Sequence, residues 1–209
     1  MIAHPTNDGE AFWERHYQSV SDKTDGKPSA PLVRFVEGRH PGRALDLGCA
    51  RGDNPVWLAK RGWQVNGVDI APTALSYARA NAERAGVSDN ILLEQHDLAN
   101  SFPEGSFDLI SAIYLQSPVA VPAAAILKRA SSSIRPGGML LFVTHASVAP
   151  WSWSDPGTVF PTSEEELMDA RLDPHSWIKL FVGTSERQAT GPKGQTATVK
   201  DNIIALERR

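Results

Sequence analysis

The sequence predicts an α/β protein: a doubly wound, mostly parallel seven-stranded sheet with helices on both faces and an antiparallel hairpin at its C-terminal edge. Three observations lead there. From Arg43 to about His145, short apolar runs alternate with helical segments. Strands separated by helices of this kind imply parallel βαβ units with right-handed crossovers. The first apolar run ends in a glycine turn, "LDLGCARG", and the last third holds two long strand-like runs around the turn-rich "GPKGQ".

Taken in order, "RALDLG" is a short strand ending in glycine. "NPVWLAKRGW" follows as a short helix, with Asp53 or Asn54 available as cap and Gly62 as stop. "WQVNGVDI" is the second strand. "APTALSYARANAERAG" is the clearest helix: Pro72 suits its first turn, Leu75, Ala78, Ala82 and Ala85 recur at helical spacing, and Gly86 offers a C-terminal cap. "NILLEQHDL" and "GSFDLISAIYLQ" are the third and fourth strands. "VAVPAAAILKRASSSIR" is a helix whose start Pro122 delays, "RPGG" a turn, and "GMLLFVTHA" the fifth strand. "SEEELMDARL" reads as a helix with a capping box of Ser163 and Glu166. "WIKLFVGTSERQAT" and "TATVKDNIIALERR" form the hairpin.

The bulk properties narrow the function. No long Pro/Gly/Ser-rich or charged linker divides the 209 residues, so 1–209 is expected to be a single domain. A net charge of -3 argues against a broad nucleic-acid-binding face, which needs clustered Lys and Arg. The single cysteine, Cys49, excludes an internal disulfide and a cysteine-rich zinc site, and no metal-ligand spacing occurs, so no metal is expected. No apolar run approaches the roughly 20 residues that span a bilayer, and the N-terminal stretch has no signal-peptide core. A cytoplasmic protein without membrane partners is the expectation.

In open parallel sheets, ligands bind beyond the carboxyl ends of the strands, where strand order reverses. Gly48 lies there and lets a ligand approach the backbone. Asp69 ends the second strand, 21 positions after Gly48, placed to accept hydrogen bonds from both hydroxyls of a ribose. Asp97 closes the third strand within reach of an adenine amine. With Asp46 these make three acids at adjacent strand ends, which suits a nucleoside without phosphate. The dinucleotide fingerprint G-x-G-x-x-G is not met, because its three positions hold Gly48, Ala50 and Asp53.

These segments, with "RPGGMLLFV", resemble the class I S-adenosylmethionine-dependent methyltransferases over about residues 43–143. With "AFWERHY", "FPTSEEEL" and the final strand, the chain looks most like the small bacterial tellurite-resistance and thiopurine-methyltransferase-like branch. The resemblance implies a Rossmann-like methyltransferase fold, S-adenosylmethionine as cofactor and S-adenosylhomocysteine as product. It places Gly48 under the methionine moiety, Asp69 and Asp97 on ribose and adenine, Ile70 and Leu98 against the adenine ring, and Asp46 near the methionine amino group. Ala50 stands where the family usually has glycine. Residues 1–40 become a helical lid region with Trp13 and Tyr17 over the cofactor, 43–145 the cofactor core, and 146–209 the acceptor side.

Methyl transfer is an in-line displacement at a carbon on positive sulfur, so the protein must align the reactants and exclude water. His145, ending the fifth strand, is the candidate base, because imidazole suits proton transfer near neutral pH. His16, in the N-terminal helix, is a weaker candidate. His96 is expected to point away from the site by strand alternation. Tyr114 and Gln116 follow the fourth strand, where acceptors bind in this fold. Trp151, Trp153 and Phe160 lie on a long connection of the kind that often forms a lid. The expected acceptor is a small molecule reacting through a thiol, a chalcogen or an aromatic heteroatom, on a monomer or homodimer. The alternative is a non-catalytic binder of S-adenosylmethionine or S-adenosylhomocysteine, and a third reading, a nucleic-acid methyltransferase, meets the acidic balance as an objection.

Overall fold

The computed structural model describes residues 8–24, 26–117, 119, 121–152 and 154–209. Seven strands form one sheet: β1 (Arg43–Leu47), β2 (Gln64–Asp69), β3 (Ile91–Gln95), β4 (Phe107–Ile113), β5 (Ile134–His145), β6 (Trp177–Thr190) and β7 (Thr196–Arg208). Their order across the sheet is β3-β2-β1-β4-β5-β7-β6. The first five run parallel, and β7 runs antiparallel between β5 and β6. The expected C-terminal hairpin is therefore present, with its second strand inserted and β6 left as the edge. The order reverses between β1 and β4, so the crevice beyond their C-terminal ends is the ligand-binding position of such sheets.

Strand alternation feeds two apolar layers. Ile110, Leu140, Phe142, Ile204 and Leu206 face one side, where they pack with Ile126 and Leu127 of α5 (Ala123–Ser132). Leu109, Leu141, Val143, Ile203 and Ala205 face the other, against Leu32 of α2 (Ala30–Val36) and Trp57 and Leu58 of α3 (Asp53–Ala59). Two covered faces explain the near-continuous apolar runs of β4 and β5. Burying each large apolar side chain contributes roughly 1.5–3 kcal/mol, so these layers hold the strand ends in place.

Helix α4 (Pro72–Ala85) starts and stops as its sequence predicts: Pro72 is in its first turn, and Gly86 caps its end at φ 69°. Its N-terminus is also held from afar. Glu14 of α1 (Asp8–Gln18) accepts from the backbone amide of Thr73 at 3.0 Å and from its hydroxyl.

Four local expectations are corrected. Helix α3 is entered through Gly52, whose left-handed backbone (φ 84°) makes it the cap in place of Asp53 or Asn54; their side chains instead accept from Thr24 and from the amide of Ser29. "RPGG" is not a turn between elements. It is an irregularity inside β5, where the register slips between Phe107↔Ile134 and Leu109↔Met139. The capping box of α6 (Ser163–Asp169) is Thr162 with Glu165, one residue earlier than expected. Strand β3 ends at Gln95, so Asp97 lies in the following loop.

Candidate functional site

The glycine turn is built by the strand beside it. The amides of Gly48 and Cys49 both donate to the carbonyl of Val68, at 2.9 and 2.8 Å. Gly48 has φ 73°, a left-handed backbone that favours glycine, and a Cβ there would have to displace Leu115 Cδ1, 2.7 Å away. Ala50 also has a left-handed backbone, φ 51°, which costs an L-residue roughly 1–2 kcal/mol. Its amide donates to Asp69 Oδ2 at 3.0 Å, and the amide of Ala71 donates to Oδ1 at 3.0 Å. Asp69 is thus aimed by the two turns on either side of it. Burial pushes its carboxyl above the usual range, against these amide bonds.

Asp46 lies deeper, 1 % exposed. Its Oδ1 accepts from Ser111 at 2.6 Å, while Oδ2 has no hydrogen-bond partner among the described residues. Burial pushes its carboxyl up to about 7; the Ser111 bond opposes this, and the neighbouring Asp69 charge adds to it. An orphaned buried acceptor beneath an open glycine floor fits a cationic or amino-bearing ligand. Burial also pushes the Cys49 thiol up, in keeping with a packing role.

A cavity of about 240 Å³ opens above this floor. Trp13, Tyr17, Gly48, Asp69, Ile70, Asp97, Leu98, Tyr114 and Gln116 all line it. The structure thereby brings together nine of the residues singled out in the sequence. Asp46 and Ala50 are outside the lining and support it from below. The Asp97 carboxylate also closes its own loop, accepting from the amide of Ala99 at 3.1 Å and from Asn100 Nδ2 at 2.6 Å. His96 is a correction: it lines the cavity and contacts Ser101 Oγ through Nδ1 at 2.9 Å. The strand has ended one residue earlier, so alternation no longer governs its direction.

Helix α1 covers the cavity through Trp13 and Tyr17. It is tied down by Glu14 to Thr73, by Trp13 Nε1 donating to Ser117 Oγ at 3.1 Å, and by Gln95 Nε2 donating to Glu10 at 3.2 Å. Burial, with the charge of Asp69, raises the Tyr17 hydroxyl far above its ordinary value, so it stays neutral.

A second cavity of about 920 Å³ shares the wall formed by Trp13, Tyr114, Leu115 and Gln116. It is lined further by His16, His145, Trp151, Phe160, Glu166 and Arg187. Trp153 lies outside the described residues. His145 stacks on Tyr114, with ring centroids 4.5 Å apart, and its amide donates to Gln116 Oε1 at 2.6 Å. Tyr114 itself has φ 59°, an uncommon backbone for a bulky residue.

Two residues missed in the sequence hold this group. The β5–β7 register sets Asp201 directly opposite His145, and the β6–β7 register brings Arg187 near. Asp201 accepts from the Tyr114 hydroxyl at 2.8 Å and from Arg187 Nε at 2.6 Å, and its Oδ1 lies 3.7 Å from His145 Nδ1. Burial pushes the Asp201 carboxyl up, but the nearby His145 ring and the bonds from Arg187 and Tyr114 outweigh it and hold it below the usual range. The one available signal was an acid next to the apolar run of "VKDNIIALERR".

Residues 44–138 match the family model described as a methyltransferase domain. The ribosomal RNA small subunit methyltransferase C of Alcanivorax borkumensis is 30% identical over 134 residues, 61% of this chain and 40% of that protein. The ubiquinone biosynthesis O-methyltransferase of Idiomarina loihiensis is 33% identical over 123 residues, 56% of this chain and 50% of that protein. The chain thus spans half or less of the length of these two relatives. Among solved structures, N-methyltransferase NodS from Bradyrhizobium japonicum, in complex with S-adenosyl-L-homocysteine, superposes with TM-score 0.68 at 17% identity, covering 96% of this chain and 99% of that one. TehB from Haemophilus influenzae gives 0.61 at 18% identity, covering 96% and 67%. Among the described residues, no helix is long and apolar enough to cross a membrane. The matched segment and these relatives agree that residues 44–138 are similar to a methyltransferase domain, and the fold is the one seen in solved S-adenosylmethionine-dependent methyltransferases.

Proposed function

We propose that the protein transfers a methyl group from S-adenosylmethionine to a small molecule. The observation that carries this reading is the pair of adjoining cavities with a common wall at Tyr114 and Gln116. One is built for a nucleoside, and the other is lined by aromatics and an imidazole. Bound S-adenosylmethionine would supply an activated methyl group on positive sulfur.

The chain's own residues do the rest. Asp69 holds the ribose hydroxyls, Asp97 the adenine side, and Ile70 and Leu98 flank the ring. Asp46 answers the positive charge of the methionine amino group. Trp13 and Tyr17 close over the nucleoside as a lid. Tyr114 and Gln116 position the acceptor, and Trp151 and Phe160 keep water from its nucleophile. His145 takes the acceptor's proton: its Nδ1 faces Asp201, which leaves Nε2 for the substrate. A thiol, a chalcogen or an aromatic heteroatom is the nucleophile that a single imidazole serves.

The relatives include enzymes named for ribosomal RNA and for ubiquinone biosynthesis, so kinship leaves the acceptor open. The acidic balance and the walled cavity favour a small one. The TehB likeness supports placement in the tellurite-resistance branch. We further propose a single domain over 1–209, a cytoplasmic location, and a monomer or homodimer. The test is production of S-adenosylhomocysteine across a panel of thiols, phenols and amines. Acceptor-dependent product supports the reading. Cofactor binding without turnover on any acceptor would replace it with a non-catalytic binder.

A further inference from the structure

We infer that the acceptor carries a basic nitrogen and that Glu166 is the group that holds it. This rests on the proposed function and names the substrate class of the same site. Glu166 projects from α6 into the larger cavity. One carboxylate oxygen accepts from Thr144 Oγ1 at 3.0 Å, and no Lys, Arg or His forms an ion pair with it among the described residues. Three groups that can carry a positive charge line the same wall, and one of them, His16, packs edge-on against Trp13 and Tyr17, with ring centroids 5.4 and 5.2 Å apart. Arg187 is committed to Asp201 at 2.6 Å and lies over the Tyr114 ring at 5.2 Å. His145 faces the same Asp201.

The cavity therefore presents one carboxylate with spare hydrogen-bonding capacity, and its Arg187 is already neutralised. An anionic acceptor would meet the Glu166 charge, with Arg187 already paired to Asp201. An ammonium or protonated ring nitrogen would supply what Glu166 lacks, through a charge-assisted hydrogen bond. The aromatic lining suits the same ligand, because Trp13, Trp151 and Phe160 are among the side chains of that wall and aromatic rings attract cations. Half-burial raises the Glu166 carboxyl to about 7, as expected of a carboxylate that lacks a cationic partner. The basic nitrogen anchors the acceptor, and the nucleophile lies elsewhere in the molecule, towards Tyr114 and His145.

The experiment uses the full chain saturated with S-adenosylhomocysteine and titrated with three matched pairs: tyramine against tyrosol, tryptamine against tryptophol, and cysteamine against 2-mercaptoethanol. Each pair exchanges an amine for a hydroxyl on one skeleton. The expected result is at least one pair in which the amine binds fivefold or more tightly, a preference lost in Glu166→Gln and in Glu166→Ala. Saturation by S-adenosylhomocysteine reports that each variant is folded, and the cofactor assignment stands or falls on that step alone. An absence of amine preference in all three pairs, or a preference that survives both substitutions, would overturn the inference.

Discussion

The two cavities are assembled in different ways. In the smaller cavity the strand-end turns do most of the holding: Asp69 is held by the amide of Ala71, two residues on, and by that of Ala50, 19 residues away on the neighbouring strand's turn, and Asp97 by Ala99 and Asn100. In the larger cavity the pairing of distant strands does it: Tyr114 bonds Asp201, 87 residues away, and the β5–β7 register sets His145 opposite the same Asp201. On the proposed function, strand-end turns position the cofactor and long-range strand register positions the acceptor. Changes on the first side should alter cofactor affinity, and changes on the second should alter turnover.

The largest separation is expected for His145→Ala. Removing a general base typically costs 10²–10⁴-fold in rate, so turnover should fall by roughly that factor while S-adenosylhomocysteine affinity holds. Steady-state kinetics beside calorimetry reads both, and unchanged turnover on a phenol or thiol would remove His145 as the base. Asp69→Ala should do the reverse. Losing charge-assisted hydrogen bonds costs about 1.5–3 kcal/mol, or about 10- to 150-fold in dissociation constant, and an unaltered constant would refute the ribose assignment.

A smaller effect is expected with pH. Asp46 and Glu166 are both raised to about 7, and Asp69 is raised as well. A folded-state pKa above the unfolded value means that the folded protein binds these protons more tightly, so stability falls as pH rises through that window. The ligand-free protein should melt at a higher temperature near about pH 5 than near about pH 8. Glu14 and Asp201 are lowered, and the stability they contribute is lost only below about pH 4. Saturating S-adenosylmethionine should flatten the slope by pairing with Asp46. A melting temperature that rises between these two pH values would contradict the buried-acid geometry.

The smallest effect is expected for Ala50→Gly. Relief of the left-handed strain, roughly 1–2 kcal/mol, is partly offset by the greater freedom of glycine in the unfolded chain, roughly 0.4–1 kcal/mol. Thermal unfolding should show a net gain of about 0.5 kcal/mol, with cofactor binding equal or tighter. A clear loss would mean that the Ala50 methyl packs usefully.

The same contrast explains what the sequence disclosed. The succession of strands along the chain, the hairpin and the Gly48 turn were legible because periodicity and turn chemistry are local signals, and Asp69 followed from its distance to Gly48. His96 was misdirected because β3 stops at Gln95, and a strand end carries no local mark. Glu166 was read as helix-start chemistry, since the true cap is one residue earlier, at Thr162. Asp201 and Arg187 were invisible as partners of His145. Only the pairing of β5, β7 and β6 brings them together, and antiparallel register is not written in any single segment.

Calorimetric titration with S-adenosylmethionine and S-adenosylhomocysteine, with NADH as control, tests the nucleoside cavity most directly. Saturable binding of both sulfur nucleosides at micromolar concentration, and none of NADH, is the predicted result. Saturable NADH binding with neither nucleoside bound would contradict the cofactor assignment and every residue role that depends on it.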